Sequence, residues 1–267
     1  MIRDKVIYCI GDSHVGFFSG SDELAPQWPA MSKDILPFFK TFHLGPILAY
    51  NLCKWKTKTK GREKLFSILR CDILPKSRIM LCFGEIDCRA HLLKQKEHQE
   101  KSEMQIVQDC AERYFSVASE LKEKGHEVII WNVIPSTQLT IGGKYPTYGS
   151  GADRIRITKL LNELIRQLCL SHDMKFISIF DDLLDQNGLP ESNYYVDSIH
   201  LSQKALNLAT KKLKEAMSDL DFTMPSGPVK NSNDGKTFIN SLNLMRRRIV
   251  LLYYVFQAYA MNLRKII

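Results

Sequence analysis

Val6-Ile7-Tyr8-Cys9-Ile10-Gly11-Asp12-Ser13-His14 is an apolar run that stops abruptly at a glycine and an acid. Five consecutive apolar residues, most of them β-branched or large, ending in turn-forming ones read as a strand buried on both faces, the kind that parallel sheets use. Arg78 to Phe83, Glu127 to Val133 and Lys175 to Phe180 have the same character. Between these runs, apolar residues recur at helical spacing: Ile106, Val107, Cys110, Tyr114, Val117 and Leu121, then Ile157, Leu160, Leu161, Leu164, Ile165 and Leu168. A third helix is expected through Ala205, Leu206, Leu208, Ala209, Leu213 and Met217. Strands alternating with helices predict an α/β fold, doubly wound around a mainly parallel sheet. In such a fold ligands bind outside the carboxyl ends of the strands, which is where Gly11-Asp12-Ser13 falls.

A serine hydroxyl is a poor nucleophile at neutral pH until an imidazole takes its proton, and the imidazole needs a carboxylate to fix its tautomer. Tyr195-Val196-Asp197-Ser198-Ile199-His200 places an acid three residues before a histidine, just ahead of the last predicted helix, so one loop can supply both groups. Either segment alone is also ordinary turn or cap composition. Their joint presence makes Ser13, Asp197 and His200 a candidate triad.

Together the two segments resemble the SGNH (GDSL-like) hydrolase superfamily, whose blocks run Gly-Asp-Ser, a glycine block, Gly-x-Asn-Asp and Asp-x-x-His. Gly11, Asp12 and Ser13 match the first block and Asp197 and His200 the last, so the resemblance covers positions 11 to 200. It implies a three-layer α/β/α fold and ester or acyl-group chemistry with no metal and no cofactor, with Ser13, Asp197 and His200 catalytic. Phe42-His43-Leu44-Gly45-Pro46 is the expected glycine block, with Gly45 and Ser13 supplying oxyanion-hole amides and Pro46 opening a helix. The third block departs from the pattern. In Phe83-Gly84-Glu85-Ile86-Asp87-Cys88-Arg89, Ile86 stands where the family supplies an oxyanion-binding Asn, a donor whose loss costs about 10² to 10³ in rate.

That variant looks like one found in SGNH-like proteins involved with bacterial glycans. Glu85, Asp87 and Arg89 are therefore candidate substrate-binding residues for a hydroxyl-rich ligand, with Arg89 the donor available to stand in for the Asn; an internal ion-pair network is the competing reading. Tyr145 to Ser150, aromatic and small polar, is a second place where substrate could be held. The expected activity is hydrolysis of an acyl ester, a carbohydrate O-acetyl group being the specific expectation. An O-acyltransferase using the same acyl-enzyme and a non-catalytic glycan-binding or assembly protein are the alternatives.

The chain has 267 residues and a net charge of +8. From Thr223 onward seven Lys/Arg face a single acid, Asp234, so most of the charge belongs to the tail. No nucleic-acid module accompanies it, and no nucleic-acid partner is expected. Lys54, Lys56, Lys58, Lys60, Arg62 and Lys64 form a second basic stripe, read as a solvated loop or a surface for an acidic substrate or lipid headgroups. Seven cysteines, an odd number without C-x-x-C pairs, predict reduced, mostly buried thiols, with Cys88 singled out by its charged neighbours. The first apolar run is too short for a signal peptide, which leads to a cytoplasmic expectation.

Residues 1–222 are expected to form the catalytic domain. Residues 223–240, rich in Pro, Gly, Ser and Asn, read as a linker. Beyond it Leu242, Met245, Ile249, Leu252, Phe256, Tyr259, Leu263 and Ile266 alternate three and four apart, so 241–267 reads as a helix. Its uncharged run, Ile249 to Leu263, is shorter than the ~20 residues a span needs. Three roles remain open for it: self-association or docking of a partner, peripheral contact with a membrane surface, and packing on its own domain.

Overall fold

The computed structural model describes residues 5–136, 146–222 and 236–263. Five strands, β1 (Ile7–Gly11), β2 (Phe39–His43), β3 (Arg78–Cys82), β4 (Glu127–Trp131) and β5 (Lys175–Ile177), form one parallel sheet in the order β2-β1-β3-β4-β5. The helices are α1 (Gly61–Cys71), α2 (Leu92–His98), α3 (Glu103–Glu123), α4 (Gly151–Ser171), α5 (Leu206–Ala216) and α6 (Lys236–Leu263). Four of the strands coincide with the apolar runs read from the sequence. Alternate residues of these strands point to opposite faces and bury against different helices. Tyr8, Ile10, Ile79, Leu81, Val128 and Ile130 pack with Leu65 and Ile68 of α1, Val107 and Tyr114 of α3, and Ile157 and Leu161 of α4. Ile7, Cys9, Met80, Cys82, Ile129 and Trp131 pack with Phe17, Phe18 and, from α5, Ala209 and Leu213. The result is the three-layer α/β/α arrangement.

The serines Ser102 and Ser150 start α3 and α4 with reciprocal capping boxes, pairing with Gln105 and Asp153. In this way Tyr145 to Ser150, expected to hold substrate, ends as a helix cap. Tyr148 N–H donates to the Arg89 carbonyl at 2.8 Å, and Tyr145 lies outside the described residues.

Strand β2 did not stand out in the sequence. Its five residues include Lys40, Thr41 and His43, so it lacks the continuous apolar run of its neighbours. It docks through register, Ile7 opposite Phe39 and Gly11 opposite His43. Pro46 lies in a bend and opens no helix; the nearest helical turn is Ala49–Asn51. The basic stripe is not simply a loop, because α1 begins inside it. Glu63, in the first turn of α1, accepts the Lys56 N–H at 2.6 Å and so anchors the stripe to the helix. Lys64 Nζ donates to the Leu44 carbonyl at 2.6 Å.

All seven cysteines are free: Cys9, Cys82, Cys88, Cys110 and Cys169 are buried, Cys53 and Cys71 half-buried. Burial pushes the Cys88 thiol well above its usual range, which leaves it inert rather than reactive.

Residues 223–235 of the expected linker lie outside the described residues, while 236–240 are already helical. No Pro or Gly follows Gly235 in that stretch, so nothing stops the helix from extending toward its N-terminus. α6 packs on α1. Tyr254 lies against Trp55 and Phe66 with ring centroids 6.2 and 6.1 Å away, Ala258 is buried, and Arg247 pairs with Asp72 at 2.6 Å. No helix among the described residues is long and apolar enough to cross a membrane.

Candidate active site

The strand order makes the β2–β1–β3 junction the point where the chain reverses its direction across the sheet, and β1 delivers Ser13 to its carboxyl end. Gly11 is required there, because a Cβ would sit 2.4 Å from the Cys82 carbonyl oxygen of the neighbouring strand. Asp12 follows, and its Oδ1 accepts the His14 N–H at 3.0 Å, capping the 3-10 turn Ser13–Ser19. The Gly-Asp-Ser sequence is thus one device: close strand contact, cap, then a side chain at the first position of the turn.

The loop after β5 brings the other two residues. Tyr195 pairs with Leu201 in an antiparallel bridge, and the Tyr195 hydroxyl donates to the Pro135 carbonyl at 2.6 Å. Within the loop Asp197 Oδ1 accepts the backbone N–H groups of Ile199 and His200, both at 2.8 Å. Its other oxygen, Oδ2, lies 2.8 Å from His200 Nδ1, and His200 Nε2 lies 2.8 Å from Ser13 Oγ. An ionised Asp197 can only accept, so it assigns the proton to Nδ1 and leaves Nε2 to accept from the serine hydroxyl. Burial would raise the Asp197 carboxyl, but the bonds from His200 and from the two backbone amides outweigh it and hold it below its usual value. Burial, then the nearby His14, hold His200 below its usual value despite Asp197, so it is a neutral base near pH 7.

Glu85, Asp87 and Arg89 are all buried and none is free for a ligand in the way the sequence suggested. Arg89 Nε donates to Glu85 Oε1 at 2.7 Å, and its Nη1 donates to the Pro146 carbonyl. The other Glu85 oxygen is 3.2 Å from His14 Nε2. These contacts commit Arg89 Nε and Nη1 to Glu85 and to the backbone, and Arg89 is not part of the wall of the cleft that holds Ser13 and His200. Asp87 braces the helical turn Ala49–Asn51 that follows the glycine block. Its carboxylate accepts the N–H groups of Ala49 at 2.7 Å and Tyr50 at 3.2 Å, and burial first of all raises it to about 7. Internal bracing, the competing reading, accounts for these contacts.

His14 was not among the residues singled out from the sequence. Its ring lies over that of His200, centroids 4.8 Å apart and tilted 31°. Burial alone would lower it, but the carboxylates of Asp12 and Glu85 outweigh that and hold it above its ordinary value. Its only sequence signal was its place directly after the candidate nucleophile.

Gly45 leaves β2 two residues beyond His43, and Ser13 leaves β1 two residues beyond Gly11. Since Gly11 and His43 are paired, both amides stand at the same end of adjacent strands. Gly45 adopts φ +94°, and a Cβ there would meet Gln27 Oε1 at 2.6 Å. Beside Ser13 and His200 an open cleft is walled by Ser21, Asp22, Glu23, Leu24 and Val196.

No family model and no curated protein matches the sequence. Solved structures do match. The aryl esterase of M. smegmatis is 14% identical and aligns with a TM-score of 0.51 over 82% of this chain and 100% of its own. A GDSL-like lipase from Bacteroides thetaiotaomicron is 12% identical (TM-score 0.47; 80% of this chain, 88% of that one). An acetylxylan esterase from Geobacillus stearothermophilus, solved as a catalytic mutant, is 10% identical (TM-score 0.47; 85% and 99%). With its parallel five-stranded sheet between two helical layers, this chain has the fold of the SGNH, GDSL-like hydrolases.

Proposed function

We propose that the protein is a serine-dependent acyl-ester hydrolase working through an acyl-enzyme. The observation that carries this reading is the continuous chain Asp197–His200–Ser13, with both contacts at 2.8 Å. Ser13 Oγ attacks the ester carbonyl and His200 Nε2 takes its proton. His200 returns that proton to the departing alcohol oxygen, and the acyl group stays on Ser13. A water then attacks with His200 again as base, releasing the acid and restoring the serine. Asp197 stabilises the imidazolium and fixes its tautomer. The oxyanion-binding role is assigned to the amides of Ser13 and Gly45, which would receive the carbonyl oxygen as it becomes negative. Ile86 adds no third donor, so turnover is expected to be slow for this fold.

The substrate proposed is an O-acetylated carbohydrate. The Asp22 and Glu23 carboxylates and the Ser21 hydroxyl at the cleft wall suit the hydroxyl groups of a sugar. The test is release of p-nitrophenol from its acetate and of acetate from acetylated sugars, for wild type beside Ser13→Ala. The expected result is activity that falls about 10³-fold or more in the variant. A wild type inactive on both substrates, or a variant as active as wild type, would sink the proposal.

A further inference from the structure

α6 touches α1 with one face and leaves another uncovered. Leu242, Met245, Ile249, Leu252, Phe256 and Tyr259 remain 52%, 60%, 54%, 53%, 69% and 58% exposed, and Tyr253 lies beside them. Their spacing of three and four places them in one stripe along the helix. Singly such residues need no explanation, but a contiguous apolar stripe marks a surface with a partner.

The charges around the stripe identify the partner's chemistry. In helical projection Arg246 and Arg248 fall on its two edges, and α6 contains no Asp or Glu. α1 and the loop before it add more cations: Arg70 lies 5.3 Å from the centre of the Tyr253 ring and Lys56 Nζ 4.8 Å from that of Tyr259. Arg247, by contrast, faces inward to Asp72. A second copy of the helix would bring the same arginines to the flanking positions, where paired helices place opposite charges. An anionic lipid surface meets both features at once, taking the apolar stripe into the headgroup boundary and the rim of cations onto its phosphates.

We infer that the protein docks on anionic membranes through the outer face of α6, lying in the interface without crossing it. Because this surface uses no residue of the serine cleft, the inference stands apart from the proposed activity.

The test is co-sedimentation of the full-length chain with phosphatidylcholine vesicles, with and without phosphatidylglycerol. The expected result is binding only to the anionic vesicles, released at high salt. Arg246→Gln with Arg248→Gln should weaken it on the order of 20-fold, and Leu252→Glu with Phe256→Glu should abolish it. All four side chains are at the surface, so the variants should stay folded, which circular dichroism checks. Absence of sedimentation at low salt, equal binding to neutral vesicles, or binding that survives Leu252→Glu with Phe256→Glu would each overturn the inference. Light scattering supplies the remaining arm. A dimer that the glutamate pair dissolves, without vesicle binding, would give the stripe to a second copy instead.

Discussion

His14 changes what His200 can do. The two rings are 4.8 Å apart, and charge on His14 is one of the causes that hold His200 below its usual value. In the proposed mechanism His200 works as the neutral base, so activity rises with pH as His200 loses its proton, and the low value moves that rise to lower pH. His14→Gln removes the cation and uncovers the negative Glu85, and both changes favour protonated His200. The acidic limb of kcat/KM should therefore move to higher pH, and a ¹⁵N NMR titration should show the same displacement in His200 even if turnover is too slow to follow. An unmoved limb and an unmoved titration would refute the coupling. The candidate triad was legible because Ser13, Asp197 and His200 sit in two compact motifs, each with its own turn chemistry. The His14–Glu85–Arg89 chain was not, since a contact between residues 71 apart depends on where β3 lies beside β1. Composition showed charges near the third block without showing that they neutralise one another.

Among the elements, α6 is held to the α1 region by the Arg247–Asp72 ion pair and by an aromatic contact through Tyr254. Asp72, just past the end of α1, accepts from Arg247 at 2.6 Å and from Trp28 Nε1 at 3.3 Å, so it ties α6, α1 and the loop before β2 together. The Asp72 and Arg247 side chains are only 6% and 13% exposed. Removing one partner of such a pair leaves the other charge uncompensated. Asp72→Ala should cost about 3 kcal/mol in urea denaturation, and the amides of α6 should lose hydrogen-exchange protection first. An unchanged midpoint with protected α6 amides would show that the aromatic contact suffices. This packing could not be chosen from the sequence alone, because a helix apolar nearly all round offers a face to several partners. Its inward face is set by Arg247, Leu251, Tyr254 and Ala258, a row distinct from the stripe of three-and-four spacing that the sequence emphasised. β2 escaped notice for a related reason. A five-residue edge strand with a lysine and a threonine carries little periodicity of its own, and pairing with β1 supplies what its pattern lacks.

At the scale of the whole molecule, the core beneath the site holds carboxyl groups that resist ionisation. Burial is the main cause raising Asp12 to about 6 and Asp87 to about 7, from 3.8 for the free side chain. Between about pH 4 and pH 7 the folded chain keeps the Asp87 proton while the unfolded chain has released it. Stability therefore falls as pH rises across that window through this group, and the loss is complete above it. Asp12 acts in the same direction over a narrower range. Lowered carboxyls such as Glu85 and Asp197 act oppositely but at lower pH, below their unfolded values. His14 is raised while His43, His91, His126 and His200 are lowered, so they act in opposite directions and the wild-type profile alone does not isolate Asp87. Asp87→Asn does, because the amide has the shape of the protonated acid and does not titrate. Relative to wild type, the variant's stability in urea should improve steadily from pH 4 to pH 7 and then level off. A difference that stays constant with pH would mean that Asp87 is ionised throughout, held by the Ala49 and Tyr50 amides against its burial.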